Sequence, residues 1–312
     1  MSDSRVEWIA VDAASQRVLE LADRVASAAT NLLITGESGT GKDQLARFIH
    51  EHGPRRDAPY QKIDCASLPP ELVESELFGH ERGAFTGAVE TKRGRLELAG
   101  RGTLVLDEVA ALGLPVQAKL LRVLEERRFE HLGGTESLRM EARIVALTNS
   151  NLERAVAEHR FREDVFFRLN VLAIEVPPLR ERAGDIVLLA DHLLRRLGPV
   201  HGRPEARLDV EAQAALVAYS WPGNVRELKN VLERALVFAQ QDVLGTADLP
   251  ESVRAVGRPG AVPGNLRSLE QLEKEAIAAT LEATRYKISR TAEILGISRK
   301  TLLEKRKKYG LL

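Results

Sequence analysis

Asn31-Leu-Leu-Ile-Thr-Gly-Glu-Ser-Gly-Thr-Gly-Lys-Asp43 decides how the rest of this chain is read. A short apolar run stops at a glycine-rich turn, and Asp43 to Glu51 then carries helical spacing, so the order is strand, loop, helix. Gly36-Glu37-Ser38-Gly39-Thr40-Gly41-Lys42 has the P-loop pattern through its lysine, between the two elements that the pattern requires. Three glycines let successive backbone N–H groups turn toward phosphate oxygens, the helix dipole favours the anion, and Lys42 reaches the outer phosphates. A glycine turn without a ligand is the plain alternative, and the flanking strand and helix argue against it. The next position usually carries Ser or Thr, whose hydroxyl meets magnesium; Asp43 stands there instead, and its carboxylate is expected to meet the metal directly or through water.

Outward from that loop, apolar strands are expected at Gln61–Cys65, Thr103–Leu106, Arg143–Thr148 and Val171–Val176, separated by helical patterns such as Val116–Glu126 and Leu152–Glu158. Strands alternating with helices predict an α/β fold with a parallel sheet covered on both faces. Gly102-Thr-Leu-Val-Leu-Asp-Glu108 is a strand ending in two acids, which a parallel sheet projects at its carboxyl edge, where ligands bind. Solvated acids at a strand end are the default for such a sequence, but beside a P-loop the pair acquires a task. Phosphoryl transfer needs a metal and a positioned nucleophile, so Asp107 is expected to hold Mg2+ and Glu108 to polarise the attacking water. Asn149, ending the Arg143–Thr148 strand, is a candidate polar sensor beside that water.

After Pro177-Pro178 the character changes. Asp185–Arg196, Val210–Tyr219 and Asn224–Phe238 show helical spacing without a strand signal, which predicts a helical subdomain. Pro250 to Asn265 is rich in glycine and proline and reads as a linker. Ser268 and Gln271 have the form of a capping box, opening a helix with Leu269, Leu272, Ala276, Ile277 and Leu281 on one face. The expected organisation is an α/β nucleotide-binding part over residues 1–176, a helical lid over 177–249, a linker over 250–267 and a small all-α domain over 268–312.

Apolar residues at 44% and charged residues at 29% exclude a disordered or membrane-embedded chain. The formal net charge is zero, so affinity for nucleic acid has to come from a local segment. From residue 285 to 308 there are nine Lys or Arg against Glu293 and Glu304. Cys65 is the single cysteine, no secretory signal opens the chain, and no run approaches the ~18 apolar residues of a membrane span, so a reducing, cytoplasmic setting is expected. The seven His are scattered, and His50 and His52 do not share a helix face, which leaves a metal or redox enzyme without support.

Gly83-Ala84-Phe85-Thr86-Gly87-Ala88 then brings in a family, because that hexapeptide resembles the signature loop of bacterial sigma-54-dependent transcriptional activators. Glu76-Leu-Phe-Gly-His-Glu81, Phe161-Arg-Glu-Asp164, Phe167-Arg-Leu-Asn170, Pro177-Pro-Leu-Arg-Glu-Arg182 and Trp221-Pro-Gly-Asn-Val-Arg-Glu-Leu-Lys-Asn230 extend the resemblance over nearly the whole chain. It implies a P-loop AAA+ ATPase with a helical lid, ATP and Mg2+ as ligands, and assembly into a ring, expected to be hexameric, with nucleotide between subunits. Arg162 and Arg168 then look like fingers that reach a neighbour's nucleotide, where a cation supplied in trans stabilises the transferred phosphoryl group. Arg226 looks like a second sensor coupling the lid to the nucleotide. Residues 83–88 resemble the loop that contacts sigma-54, and small residues around Phe85 permit a wide backbone excursion. Two positions depart from the family. Asp64 stands where an Asn usually switches the catalytic glutamate, which adds negative charge or a further metal ligand; His131 stands where a second surface loop commonly has Arg, which substitutes a pH-responsive contact.

The C-terminal segment reads as helix, turn at Gly296, and helix, with Ser298 as N-cap, and it resembles the Fis-type helix-turn-helix. Arg299, Lys300 and Thr301 are placed to meet base edges of double-stranded DNA, with Lys305, Arg306, Lys307 and Lys308 near phosphates. Leu295, Ile297, Leu302 and Leu303 are expected in its core, and the Leu269–Leu281 face is a candidate dimer contact. Together these features predict an ATP-driven remodeller of sigma-54 RNA polymerase; the alternative is a DNA-binding regulator that keeps the fold without productive turnover or sigma-54 contact. Only 35 residues precede Gly36, too few for a receiver domain, so control by a partner protein in trans or by abundance is expected.

Overall fold

The computed structural model describes residues 8–256 and, further on, 273–274, 277–278, 280–281, 284 and 286–309. The chain divides into two compact units, Met1–Gly257 and Arg258–Leu312. In the first, strands β1 (Leu32–Thr35), β2 (Tyr60–Asp64), β3 (Thr103–Asp107), β4 (Arg143–Thr148) and β5 (Leu172–Glu175) form a sheet in the order β2-β3-β4-β1-β5. Every pairing in it is parallel. The unbroken apolar runs follow from this, because alternate residues of each strand feed two different cores. Leu104, Leu106, Ile144 and Ala146 pack with helices α3 (Pro70–Phe78), α4 (Leu114–Glu126) and α5 (Glu163–Leu169). Val105, Val145 and Leu147 point the other way, toward α1 (Ala13–Ala26) and α2 (Lys42–Glu51).

The lid consists of α6 (Ala183–Leu197), α7 (Val210–Ala218) and α8 (Asn224–Phe238) around the fully buried Trp221, whose indole N–H donates to Leu216 O at 2.8 Å. Asp185, in the first turn of α6, is completely buried. Its Oδ1 accepts the N–H groups of Val11 and Asp12, each at 2.8 Å, and its Oδ2 accepts the hydroxyl of Ser15, so it ties the lid to the start of α1.

The lid is helical as expected, and it holds in addition a parallel ladder of Arg207–Leu208 with Val243–Leu244, segments of two residues that are too short to display a period. The linker starts later than Pro250, since Glu251–Val256 is a helix, α9, whose Val253 is fully buried in the lid core. One well-placed valine gives that segment more to bury than its composition suggests.

The second unit contains α10 (Ile288–Ile294), a turn at Gly296 with φ +66°, and α11 (Arg299–Tyr309). Thr301 N–H donates to Ser298 Oγ at 3.1 Å, the bond expected of an N-cap. Ile277, Leu281, Ala292 and Leu302 are buried together, with Leu295 and Ile297 packed against them. Leu303 is 51% exposed and does not join this core, because neighbours on a helix lie about 100° apart and Leu302 takes the inward direction. Ser268, Leu269, Gln271, Leu272 and Ala276 lie outside the described residues, and with them the expected capping box and most of the expected dimer face.

Candidate functional site

A cleft of about 870 Å³ lies in the first unit where the carboxyl edge of the sheet meets the lid. The P-loop forms its floor. Gly36, Gly39 and Gly41 have φ of +144°, +80° and +105°, and a Cβ on Gly39 would sit 2.4 Å from the lid carbonyl of Gly223, so this close approach admits only glycine. Lys42 is buried, and its ammonium donates to Gly36 O at 2.8 Å and Glu37 O at 3.1 Å. Burial lowers its pKa; the charges of Glu108 and Asp107 oppose that shift and Arg226 adds to it.

The end of β3 brings both acids into the cleft. Glu108 has φ +49° and ψ +52°, a left-handed backbone that costs a residue with a side chain roughly 1–3 kcal/mol. Its Oε2 accepts the backbone N–H of Asn149 at 3.1 Å. Asn149, the candidate sensor, thus meets Glu108 through its main chain, while its side-chain Oδ1 accepts the Ser150 hydroxyl at 3.2 Å. Asp64 lies in register with Asp107 across β2 and β3 and also lines the cleft. Its Oδ1 accepts the N–H groups of Ala66 at 3.0 Å and Ser67 at 3.2 Å, so this oxygen caps its own loop.

Lys62 had no place in the sequence-based site. Its ammonium lies 2.8 Å from Asp43 Oδ1 and 2.9 Å from Asp107 Oδ2, bridging the two carboxylates expected to hold magnesium. Burial disfavours its charge, but the hydrogen bonds and charges of Asp43 and Asp107 outweigh burial and raise its pKa. Nothing along the chain marks this lysine, because it meets Asp43 and Asp107 only once β2 and β3 are paired. Trp8 and Ile9 also line the cleft. The guanidinium of Arg182 lies 5.7 Å from the Trp8 ring centre and donates to Thr40 O at 2.6 Å. The Trp8 indole N–H is buried with no hydrogen-bond partner among the described residues.

From the lid, Arg226 Nη1 donates to Ser38 Oγ at 2.7 Å, which puts the expected second sensor on the phosphate loop. Arg162 and Arg168 do not line the cleft; they pair with Asp164 at 2.8 Å and Glu125 at 3.0 Å.

Residues 83–88 close a tight loop above a short antiparallel pair, Gly79–His80 with Lys92–Arg93, through a bond from Gly83 N–H to Ala88 O at 2.8 Å. Gly83 and Gly87 have φ of +84° and +105° with open space around them, so conformation and not crowding requires glycine there. Phe85 is 41% exposed, its ring edge-on to His80 at 5.0 Å; Ala84 and Thr86 flank it, and Ala88 is buried. A second loop, between Arg128–Phe129 and Leu138–Arg139, stands against the first, with a Cβ on Gly133 only 2.9 Å from Ala84 Cβ. His131 joins them: Nδ1 lies 2.7 Å from Glu81 Oε1 and Nε2 lies 3.0 Å from Glu97 Oε2.

In the second unit Arg299 and Lys300 are exposed at the start of α11, while the Thr301 hydroxyl lies 2.7 Å from Ser298 Oγ within the cap. Lys305, expected beside phosphates, is ion-paired with Glu273, which also accepts the Tyr309 hydroxyl at 2.6 Å. Lys308 stacks on the Tyr309 ring at 5.3 Å, and Arg306 is half-buried.

The profile described as Sigma-54 interaction domain matches residues 8–175, that of the AAA+ ATPase lid domain matches 180–262, and that of Bacterial regulatory protein, Fis family, matches 268–309. The chain is 45% identical over 296 residues to regulatory protein AtoC of Escherichia coli (strain K12), covering 92% of this chain and 64% of AtoC. It is 38% identical over 326 residues to transcriptional regulatory protein FlbD of Caulobacter vibrioides, covering 99% of this chain and 72% of FlbD. The crystal structure of NtrX from Brucella abortus in complex with ADP superposes with a TM-score of 0.75 at 35% identity, covering 98% of this chain and 70% of NtrX. The chain spans less than two thirds of the length of AtoC and of several other relatives that it matches.

Proposed function

As this chain belongs to the sigma-54 interaction domain family and carries an AAA+ ATPase lid and a Fis-type helix-turn-helix, we propose that it binds upstream DNA, assembles into a hexameric ring, and uses ATP hydrolysis to open sigma-54 RNA polymerase complexes. The glycine-rich N–H groups and Lys42 bind the phosphates of ATP. Asp107 and Asp43 are the residues that would hold magnesium; their carboxylates converge on one cation, Lys62, so the donor set suits a positive ion. When bound, magnesium supplies neutralisation of the charge that develops on the phosphoryl oxygens.

Glu108, held toward Asn149, orients the attacking water and draws its proton. Arg162 and Arg168, outside their own cleft, serve a neighbour's once their carboxylate partners are exchanged. Arg226 links the lid to the phosphate loop. The exposed Phe85 on its glycine-flanked loop supplies an apolar anchor for sigma-54.

The observation that carries this proposal is the cleft that brings Lys42, Asp107 and Glu108 together with the lid arginine. Phosphate release with and without sigma-54, followed by permanganate footprinting of a sigma-54 promoter, tests it. Lys42→Ala is expected to abolish hydrolysis and opening, and Phe85→Ala to abolish opening while hydrolysis persists. Promoter opening by Lys42→Ala equal to that of the parent chain would sink the proposal; DNA binding without any turnover by the parent would favour a regulator that has kept only the fold.

A further inference from the structure

Glu37 belongs to the phosphate loop, yet its carboxylate is engaged by the lid. Arg180 donates to it with two nitrogens, at 2.6 and 2.9 Å, and Asn224 Nδ2 donates to Oε2 at 3.1 Å. These hydrogen bonds pull its pKa down to about 2, so it is a carboxylate throughout the working range. The main chain of the same residue faces the other way in function: Glu37 O accepts the Lys42 ammonium at 3.1 Å and the Thr40 hydroxyl at 2.9 Å. One residue thus joins the lid, through its side chain, to the lysine that meets phosphate, through its carbonyl.

Asn224 is the lid's half of the joint. It is fully buried at φ +52°, in the left-handed region, and its amide is completely used: Oδ1 accepts Leu179 N–H at 2.8 Å, while Nδ2 also donates to Ser38 O at 3.0 Å. Strained backbone persists where the surroundings over-determine it, and the bonds to Leu179, Glu37 and Ser38 do so here. The next residue adds a main-chain bond, Val225 N–H to Gly39 O at 3.0 Å.

We propose that Glu37, Arg180 and Asn224 form a strap that makes the lid and the phosphate loop one two-state element, so that lid position sets how the loop presents Lys42 to nucleotide. They are positioning residues and need not touch the nucleotide. The proposal rests on the reading of the cleft as a nucleotide site. When the lid swings, Glu37 follows through Arg180 and Asn224, and the peptide holding Lys42 moves with it.

The test is a double-mutant cycle on the full chain, read by titration with a fluorescent N-methylanthraniloyl ADP and by thermal unfolding. The parent should bind and Lys42→Ala should not; if the parent fails to bind, the site reading falls first and the strap with it. Given binding, Glu37→Gln and Arg180→Met should each weaken affinity by about threefold or more, and the double variant should be no weaker than the worse single one, as for residues acting as a unit. Both side chains are 43% exposed, so melting temperatures should barely move. Asn224→Gly keeps the left-handed backbone and deletes the whole side chain, leaving Leu179 N–H without its acceptor, and it should weaken nucleotide binding in the same way. Independent, multiplying effects of Glu37→Gln and Arg180→Met, or melting-temperature losses with unchanged affinity, would overturn the strap.

Discussion

Glu108 joins an unusual backbone to the role proposed for it. Its left-handed φ aims the carboxylate across the end of β4, where it accepts the Asn149 N–H, and Gln preserves that bond while losing the proposed base. Glu108→Gln is therefore expected to bind nucleotide like the parent and to release phosphate roughly 10²–10⁴ times more slowly, measured by a coupled phosphate assay. His131 carries a second consequence of the same kind. Burial disfavours its protonated form, but the hydrogen bonds and charges of Glu81 and Glu97 win and raise its pKa above 6.5. A raised folded pKa means the tie between the two loops is fully present below the ordinary imidazole value and is lost as pH rises through the raised one. Protection of the amides of residues 81–91, taken relative to the intrinsic base-catalysed exchange rate at each pH, should fall on that rise, and His131→Arg should remove that fall; His80, Glu81, Glu97 and Arg93 are charged or titratable groups at this cluster. The Asp43–Lys62–Asp107 bridge was not readable from the sequence, because a lysine on a strand edge acquires meaning only when the neighbouring strand is known.

Among the elements, the strands and long helices were legible because both faces of the sheet are buried and the helices are amphipathic. The ladder of Arg207–Leu208 with Val243–Leu244 and the turn of helix at Glu251–Val256 were not, since they owe their form to the lid core they complete. The joint between α1 and α6 belongs to this level also. Asp185→Ala would leave the N–H groups of Val11 and Asp12 and the Ser15 hydroxyl without their acceptor, at a cost of about 2–4 kcal/mol. Urea unfolding of the first unit should report that loss, while the same change at the exposed Asp57 should have little effect.

For the molecule taken entire, a chain of zero formal charge binds DNA only through a local basic surface. Arg299→Ala and Lys300→Ala, at the positions expected to meet base edges, should weaken binding to an operator fragment, and Lys307→Ala, at an exposed position expected near phosphate, should weaken it through the backbone. Each phosphate left without its cation should make the plot of log K against log salt shallower by roughly 0.9. Lys305→Ala should change that slope least, because its charge is already matched by Glu273. Anisotropy titrations between low and moderate salt separate these outcomes.

The nucleotide loop, the acid-tipped strand, the Phe85 hexapeptide and the basic terminal helix could all be read from residue order, because each is contiguous and its chemistry depends on neighbours along the chain. Folding alone put Lys62 between Asp43 and Asp107, turned Asp64 to cap its own loop, and gave Glu37 to Arg180 and Asn224. The pairs across strand register or across the lid hold charges placed by a distant element, and such a charge leaves no local pattern to read.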